Sequence, residues 1–346
     1  MSNIRIRGEQ VRQFIIKNVE KHSTDIAKYS ADHFGITRQA ANKHLQKLVE
    51  ENSLSQIGST RNKTYKLCSL VEFNKHYSLD TAITEDVVWL LDISPSLGKL
   101  PDNVLRIWQH GFTEMFNNVI DHSGGSSVIV NFKKTAATTE ISLYDNGVGI
   151  FKKIQAALNL IDERHAVLEL AKGKLTTDPD NHSGEGIFFT SRMFDDFRIL
   201  SGGVYFSHQF GKDEDWILED QKPSSGTLVK MKLGNHTART PKKIFDRFTS
   251  GDDYGFNKTI VPVRMAQYGD DNLVSRSQAK RLLARVDRFK VVMFDFQGID
   301  SVGQAFADEL FRVFSNHHPE IKLTEINANV EVQKMINRAR DAKPEI

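Results

Sequence analysis

Hydrophobic and polar positions in the first 70 residues are typical of three helices followed by two short strands. Apolar residues recur at helical spacing in three stretches, which are Val11, Phe14, Ile15 and Val19, then Ile26, Ala27 and Tyr29, and then Ala40, Ala41, Leu45, Leu48 and Val49. Ser23 and Thr37 precede the second and third stretches, and we predict that they are the N-caps of those helices. Leu54 to Ile57 and Thr64 to Leu67 are predicted strands around a polar turn.

The middle of the chain predicts a long amphipathic helix followed by strands. Pro101 suits the first turn of this helix, whose apolar residues continue to Val119. The strands are predicted at Ser127 to Phe132, Glu140 to Tyr144 and Leu228 to Leu233.

From Lys258 onward the pattern alternates between strands and helices. The predicted strands are Thr259 to Val263, Val291 to Phe296 and Ile321 to Ile326, and the predicted helices are Ser277 to Val286, Gly303 to Phe314 and Val330 to Ala339. The second strand is a continuous apolar run, as expected for a strand that is buried on both faces. This alternation predicts an α/β domain of about 90 residues.

Composition excludes several classes of protein. The chain has 346 residues, of which 39% are hydrophobic and 26% charged, as expected for a soluble globular protein of two or three domains. Its single cysteine, Cys68, cannot form an internal disulfide, and the 12 histidines show no ligand spacing for a structural zinc site. No apolar run has the length of a membrane span and no secretory pattern begins the chain, so we expect a cytoplasmic protein without membrane contact.

Charge is concentrated at the N-terminal end. The formal net charge is +2, but the first 70 residues contain 12 Lys and Arg against 6 Asp and Glu. The order of elements there resembles a winged helix-turn-helix, in which the third helix enters the major groove of DNA and the hairpin contacts the backbone or minor groove. This resemblance implies double-stranded DNA as a partner. The residues expected to contact it are Arg38, Gln39, Asn42 and Lys43 on the third helix, and Arg61 and Lys63 at the tip of the hairpin.

The alternative for this region is a small helical domain whose solvated charges serve protein contacts. Binding to symmetric half-sites on DNA would also require a dimer, which the sequence does not indicate.

Three polar segments in the middle of the chain carry the residue types of a nucleotide pocket. Glu114 and Asn118 share one face of the predicted helix, where an amide oxygen can bind Mg²⁺ and a carboxylate can polarise a nucleophile. Asp145 follows a strand, and its carboxylate can accept a hydrogen bond from the exocyclic amino group of adenine. Gly184 and Gly186 precede an apolar helical run, where backbone N–H groups can bind phosphates. Each segment alone could equally be an exposed helix pair, a turn or a loop.

In their order and spacing, these segments resemble the N, G1, G2 and GT boxes of the GHKL superfamily of ATPases and kinases, with Gly226-Thr227 as the last box. The resemblance implies ATP and Mg²⁺ as ligands, Glu114 as the catalytic base and Asn118 as the magnesium ligand. The residues that it implies for ATP binding are Asn118, His122, Asp145, Gly147, Gly149, Gly184, Gly186 and Thr227. His122 is similar to a histidine of anti-sigma-factor kinases. Residues 151–183 would form a lid, from which Lys172 and Lys174 could reach phosphates.

The C-terminal α/β domain carries a second resemblance. Ser275 to Lys280, Asp295-Phe296 and Ile299 to Ala307 resemble the STAS-like fold of anti-sigma-factor antagonists, and more closely a STAS-like domain of uncharacterised function that follows GHKL domains. In the antagonists, a serine that directly follows an aspartate accepts phosphate from a GHKL kinase. Ser301 follows Asp300 and is therefore the implied phosphoacceptor, although Val302 stands where the antagonists have a second serine. The alternative is that Asp300 or Ser301 only caps the next helix.

Together these patterns predict an α+β multidomain protein. The expected parts are a winged helix-turn-helix at residues 1–70, a connector at 71–100, a GHKL α/β sandwich at 101–238 with a mixed sheet and helices on one face, a linker at 239–257, and a STAS-like α/β domain at 258–346.

The leading functional hypothesis is an ATP-binding transcription regulator, in which the nucleotide site and the STAS-like domain control the winged helix. The alternatives are a serine kinase, which acts on Ser301 or on a separate STAS partner, and an ATP-hydrolysing dimer clamp. Either a homodimer or a regulatory protein partner is compatible with the sequence. A sensor histidine kinase is disfavoured, because no paired-helix phosphoacceptor segment precedes Glu114.

Overall fold

The computed structural model describes residues 3–59, 62–175, 184–211, 216–219, 225–249, 255–267 and 272–342. These residues form three helices with a hairpin, then a seven-stranded sheet with helices, and then a three-stranded sheet with helices. Arg61 and residues 176–183 of the expected lid lie outside the described residues.

The N-terminal unit follows the predicted order of elements. It consists of α1 (Asn3–Asn18), α2 (Ile26–Phe34), α3 (Arg38–Glu50), β1 (Leu54–Ile57) and β2 (Thr64–Leu67), and the two strands pair antiparallel. Its core is formed by apolar side chains from all five elements, among them Ile15, Ile26, Leu45, Leu54 and Tyr65. The helical spacing of these residues in the sequence therefore marks the buried faces.

One of the two predicted N-caps in this unit is confirmed and the other is wrong. The hydroxyl of Thr37 accepts a hydrogen bond from Ala40 N at 3.2 Å, as expected for the N-cap of α3. Ser23 does not cap α2, because Asp25 occupies the N-cap position. The carbonyl oxygen of Ser23 instead accepts the backbone N–H of Tyr65 at 2.9 Å, so this residue joins the helices to the hairpin.

The central unit is built on a seven-stranded sheet with the order β3-β4-β5-β9-β6-β7-β8. The strands are β3 (Val71–Ser78), β4 (Ser127–Lys134), β5 (Thr138–Asp145), β6 (Asp196–Ser201), β7 (Val204–Gln209), β8 (Trp216–Glu219) and β9 (Thr227–Gly234). Buried and partly exposed positions alternate along β5, β6 and β9, so one face of the sheet forms the core.

Two expectations for this unit are corrected. Residues 71–100 are not a connector, because β3 pairs with β4 over its full length and Val88, Trp89, Ile93 and Leu97 are buried beyond it. The sheet is antiparallel rather than mixed, since every neighbouring pair of its described strands runs antiparallel. Short turns between β4 and β5 and between β6 and β7 permit only antiparallel pairing of these neighbours.

Seven helices belong to the described part of this unit. They are α4 (Glu85–Val88), α5 (Ser94–Leu97), α6 (Asp102–His122), α7 (Ile150–Leu158), α8 (Glu163–Lys172), α9 (Gly186–Met193) and α10 (Pro241–Phe248), with a π-helical turn at Trp89–Ile93 between α4 and α5. Of these, α6, α8 and α9 contact the sheet, while the others pack against these three. Trp108, Phe112 and Phe116 follow each other at intervals of four residues along α6 and are fully buried. This apolar stripe fixes the rotation of α6 about its axis, so its polar residues lie on other faces.

The C-terminal unit has the predicted alternation of strands and helices, and its strands form a parallel sheet with the order β10-β11-β12. Its strands are β10 (Lys258–Pro262), β11 (Val291–Asp295) and β12 (Lys322–Ile326), and its helices are α11 (Arg276–Leu283), α12 (Gln304–Asp308), α13 (Phe314–His317) and α14 (Val330–Asp341), with a π-helical turn at Glu309–Val313. Ser275 is the N-cap of α11 and forms a capping box with Gln278. Both residues belong to the segment Ser275 to Lys280 noted in the sequence, so they have a structural role there.

The central and C-terminal units share one continuous cluster of buried apolar side chains. Phe188, Phe189, Phe248, Phe256 and Phe289 form edge-to-face and tilted ring pairs across this junction. No helix among the described residues is both long enough and apolar enough to cross a membrane.

Candidate functional site

A cavity of about 320 Å³ lies between α6, the end of β5, α7, the start of α9 and the start of β9. Its lining includes most of the residues singled out in the sequence, namely Glu114, Asn118, His122, Asp145, Gly184, Gly186 and Thr227. These residues come from four segments that are well separated along the chain, and the fold brings them to one concave surface. The volume falls in the range that is usual for small-molecule sites.

One wall of the cavity is a polar face of α6. Glu114, Asn118 and His122 are spaced by four residues, so they lie one above the other along the helix. All three are partly exposed, while Met115, Phe116 and Val119 between them are buried in the core. The buried stripe thus holds the polar face toward the cavity.

Asp145 lies at the end of β5 and is only 3% exposed. Its Oδ1 accepts the backbone N–H groups of Gly147 at 2.9 Å and Thr227 at 3.2 Å. Burial raises the pKa of Asp145, and these hydrogen bonds oppose that rise by stabilising the carboxylate. The hydroxyl of Thr227 accepts the N–H of Ile150 at 3.0 Å, which ties the start of α7 to β9.

Gly147 and Gly149 do not line the cavity but shape the loop beside it. A Cβ atom at Gly147 would overlap the carbonyl oxygen of Ser123, so glycine is required for the loop to approach the end of α6. Gly149 has φ of 96°, a left-handed conformation that favours glycine, and is the N-cap of α7. The two glycines therefore allow the loop after Asp145 to adopt its conformation and to pack closely against the end of α6.

Gly186 brings α9 against α6 at the cavity. A Cβ atom at this position would overlap Oε2 of Glu114. The first residue of α9 is therefore in direct contact with the carboxylate of Glu114. Gly184 lies beside Leu175, whose N–H donates to the Gly184 carbonyl oxygen at 3.0 Å.

Two residues near the cavity were missed in the sequence. Asn146 Oδ1 accepts the N–H groups of Ser126 and Ser127 at 2.9 and 3.0 Å, which fastens the loop after α6 to the loop after β5. Lys153 lines the cavity, and its Nζ donates to the carbonyl oxygen of His122 at 2.9 Å. The sequence signal for Asn146 is its place in an Asp-Asn-Gly turn, whereas Lys153 is one of two adjacent lysines with no distinguishing pattern.

Lys172 and Lys174, which we expected could reach phosphates, form hydrogen bonds with the C-terminal unit. Lys172 is 1% exposed, and its Nζ donates to Glu169 Oε1 at 2.6 Å, to Ala284 O at 2.7 Å and to Arg281 O at 3.0 Å. Lys174 Nζ donates to the carbonyl oxygen of Arg288 at 3.0 Å. Both lysines therefore bind the C-terminal unit, and neither lines the cavity.

On the N-terminal unit, the side chains expected to meet DNA lie on an exposed face. Arg38, Gln39, Asn42 and Lys43 are all exposed on α3, and Lys63 is partly exposed before β2. The opposite face of α3 is buried through Ala41, Leu45 and Leu48.

Ser301 is exposed and does not cap a helix. The helix after it is α12, which begins at Gln304 with Gly303 as its N-cap residue. Neither Asp300 nor Ser301 therefore serves as the cap, since the chain at Val302 and Gly303 is instead joined to Leu273 by a parallel bridge and a 2.7 Å hydrogen bond. The role of Ser301 as a phosphoacceptor stays a prediction.

The described residues contain no group of three or more His, Cys, Asp or Glu side chains that could hold a metal ion. A magnesium ion at Asn118 would therefore need further oxygen ligands from water and from a bound phosphate chain, which is its usual coordination in nucleotide sites.

Comparison with known protein families identifies one part of the chain. Residues 278–333 match the family of STAS-like domains of unknown function (DUF4325). The match runs from α11 into α14, so the C-terminal unit contains a STAS-like domain. The chain matches no curated protein.

Proposed function

We propose that this protein is an ATP-binding, DNA-binding transcription regulator, in which a GHKL-type nucleotide site and the STAS-like domain control an N-terminal winged helix. The observation that carries the proposal is the cavity, which collects Glu114, Asn118, Asp145 and Gly186 from distant segments of the chain. If these segments were only turns and exposed helix residues, they would not be expected to line the same cavity.

The cavity residues suit an adenine nucleotide. The buried carboxylate of Asp145 can accept a hydrogen bond from an amino group. It therefore favours adenine over guanine, which has a carbonyl oxygen at the corresponding ring position. Asn118 would hold Mg²⁺, which neutralises phosphate charge when it is bound. Glu114 lies one turn earlier on α6, where its carboxylate can orient and polarise an attacking hydroxyl or water.

The N-terminal unit supports DNA as the second ligand. Its elements follow the order of a winged helix-turn-helix, and the exposed face of α3 carries Arg, Gln, Asn and Lys side chains. These side chains have the donors and acceptors for base edges and phosphates. The excess of basic residues in the first 70 positions provides the electrostatic attraction.

Titration calorimetry of the intact protein with ATP–Mg²⁺ and GTP–Mg²⁺ tests the nucleotide site. We expect ATP to bind at least about tenfold more tightly than GTP, because only adenine donates an amino hydrogen to Asp145. Asp145→Asn should lose most ATP binding, while the control Asp86→Asn, at an exposed position on α4, should bind as the wild type does. Failure of the wild type to bind either nucleotide would remove the proposal.

A further inference from the structure

Lys153 is a cavity residue without a role in the proposal above. It lies in the first turns of α7, next to Lys152. Lys152 is exposed, whereas Lys153 is partly buried and lines the cavity. Two adjacent lysines therefore have different environments, which makes one a natural control for the other.

The position of Lys153 is electrostatically unfavourable for α7 itself. The N-terminal end of a helix carries partial positive charge and favours acidic side chains, yet the first turn of α7 contains none. The stability of α7 therefore gives no reason for a lysine at this position.

The ammonium group of Lys153 is held near the polar face of α6. Its Nζ donates to the carbonyl oxygen of His122, one turn beyond Asn118 on the same helix. An ammonium group has three N–H donors. The contact with His122 is the one hydrogen bond of this group within the described part of the chain, so donors remain for a ligand.

Charge in the cavity requires a cation near the phosphates. The acidic side chains in its lining are Glu114 and Asp145, and, among the described lining residues, Lys153 is the only lysine or arginine. A nucleoside triphosphate carries several negative charges, which a single magnesium ion cannot balance. Lysine supplies a compact charge and directional donors to phosphate oxygens.

We propose that Lys153 binds the phosphate chain of the nucleotide, so that the site discriminates nucleoside di- and triphosphates from the nucleoside. This inference rests on the proposed ATP site and adds a residue outside the four sequence segments that suggested it. The competing explanation is that Lys153 only supports the C-terminal end of α6 through His122.

Binding affinities for ATP–Mg²⁺, ADP–Mg²⁺ and adenosine, measured by calorimetry with Lys153→Met and Lys152→Met, separate these explanations. Loss of a charged hydrogen bond should weaken ATP binding of Lys153→Met by roughly 10- to 100-fold, with adenosine affinity unchanged. Lys153→Arg should recover part of the ATP affinity, and Lys152→Met should match the wild type. Thermal unfolding of the ligand-free variants shows whether the fold is intact.

Three outcomes would overturn the inference. Equal loss of ATP and adenosine affinity in Lys153→Met would mean that the lysine only supports α6. Unchanged ATP affinity would mean that the phosphates do not meet it. If the wild type binds adenosine and ATP equally, no phosphate contact exists, whereas absence of all binding to the wild type refutes the nucleotide site itself.

Discussion

At the scale of single residues, burial of Asp145 affects the stability of the ligand-free protein, in addition to the role in nucleotide binding that we propose for this residue. Burial raises the pKa of this carboxyl group despite two backbone hydrogen bonds to Oδ1. A group whose pKa is higher in the folded than in the unfolded protein stabilises the fold below its unfolded pKa of about 4. That stabilisation is lost as the pH rises through the pKa of Asp145 in the folded protein. The folded state is therefore less stable when Asp145 is ionised.

Asp145→Asn should therefore alter the pH dependence of stability. The amide oxygen can still accept the N–H groups of Gly147 and Thr227, but the side chain no longer ionises. We expect the melting temperature of Asp145→Asn, relative to the wild type, to increase as the pH is raised from about 4 toward 8. Thermal unfolding of both proteins without nucleotide measures this difference, with Asp86→Asn as the control. A difference that does not change with pH would contradict the raised pKa.

At the scale of elements, α8 explains why part of the expected lid serves a different purpose. From His165 to Lys172 every residue of this helix is buried, because the central sheet and the C-terminal unit enclose it. Thr259 Oγ1 of β10 donates to Lys172 O at 2.6 Å, and Arg164 donates to Gln267 O at 3.2 Å. Leu170 on the same helix lines the cavity. One helix thus lines the cavity and contacts the STAS-like domain.

Lys172→Met should destabilise this junction strongly. Glu169 is 4% exposed and, among the described residues, would keep only Arg285 Nε, at 3.5 Å, as an ion partner, so a buried charge would lose its closest counter-charge. We expect a loss of about 3–5 kcal/mol in the free energy of unfolding, measured by denaturant titration. The double variant Glu169→Leu/Lys172→Met should recover much of this loss, while exposed Lys152→Met should have little effect. Equal stability of the single and double variants would disprove the charge-pair explanation.

The helices and strands that were predicted correctly from the sequence are those whose apolar residues repeat at a regular spacing. The buried positions of α3, α6 and the C-terminal strands repeat regularly, and Thr37 has the chemistry of an N-cap. Strand β3 was missed because it lies at the edge of the sheet, where Tyr77 is its only buried residue among the described positions. Lys172 was misassigned because its partners, Arg281 and Ala284, lie more than one hundred residues away, and local pattern carries no information on such contacts.

The same distinction applies to the candidate site. Spacing of four residues was sufficient to place Glu114, Asn118 and His122 on one face of α6. Lys153 could not be distinguished from Lys152, since only the fold decides which of two neighbours faces the cavity. The sequence singled out the glycines for close approach to a ligand, whereas the structure shows Gly147 in contact with Ser123 and Gly186 in contact with Glu114.

At the scale of the whole molecule, strand β5 extends from the N-terminal unit to the cavity. The strand begins after the turn at Ala136 and Ala137, which packs against the core of the N-terminal unit. It ends at Asp145 in the cavity. Asn235 braces the turn, because its Nδ2 donates to Thr135 O at 2.9 Å and its Oδ1 accepts the hydroxyl of Thr139 at 2.8 Å. Strand β5 is therefore a continuous stretch of chain between Asp145 and the turn that packs against the N-terminal unit.

This connection predicts that ATP changes DNA affinity, provided that ATP binds two arrangements of the molecule unequally. A DNA target selected from a random library would be titrated with the wild type and Asp145→Asn, each with and without ATP–Mg²⁺, at one fixed salt concentration. We expect a change of roughly 5-fold or more in the wild type, in either direction, and none in Asp145→Asn. Arg38→Ala should weaken DNA binding while its ATP affinity stays normal, because α3 lies outside the cavity. Identical DNA affinities of an ATP-saturated and a nucleotide-free wild type would show that the two sites are independent, and would contradict the proposed control of DNA binding by the nucleotide.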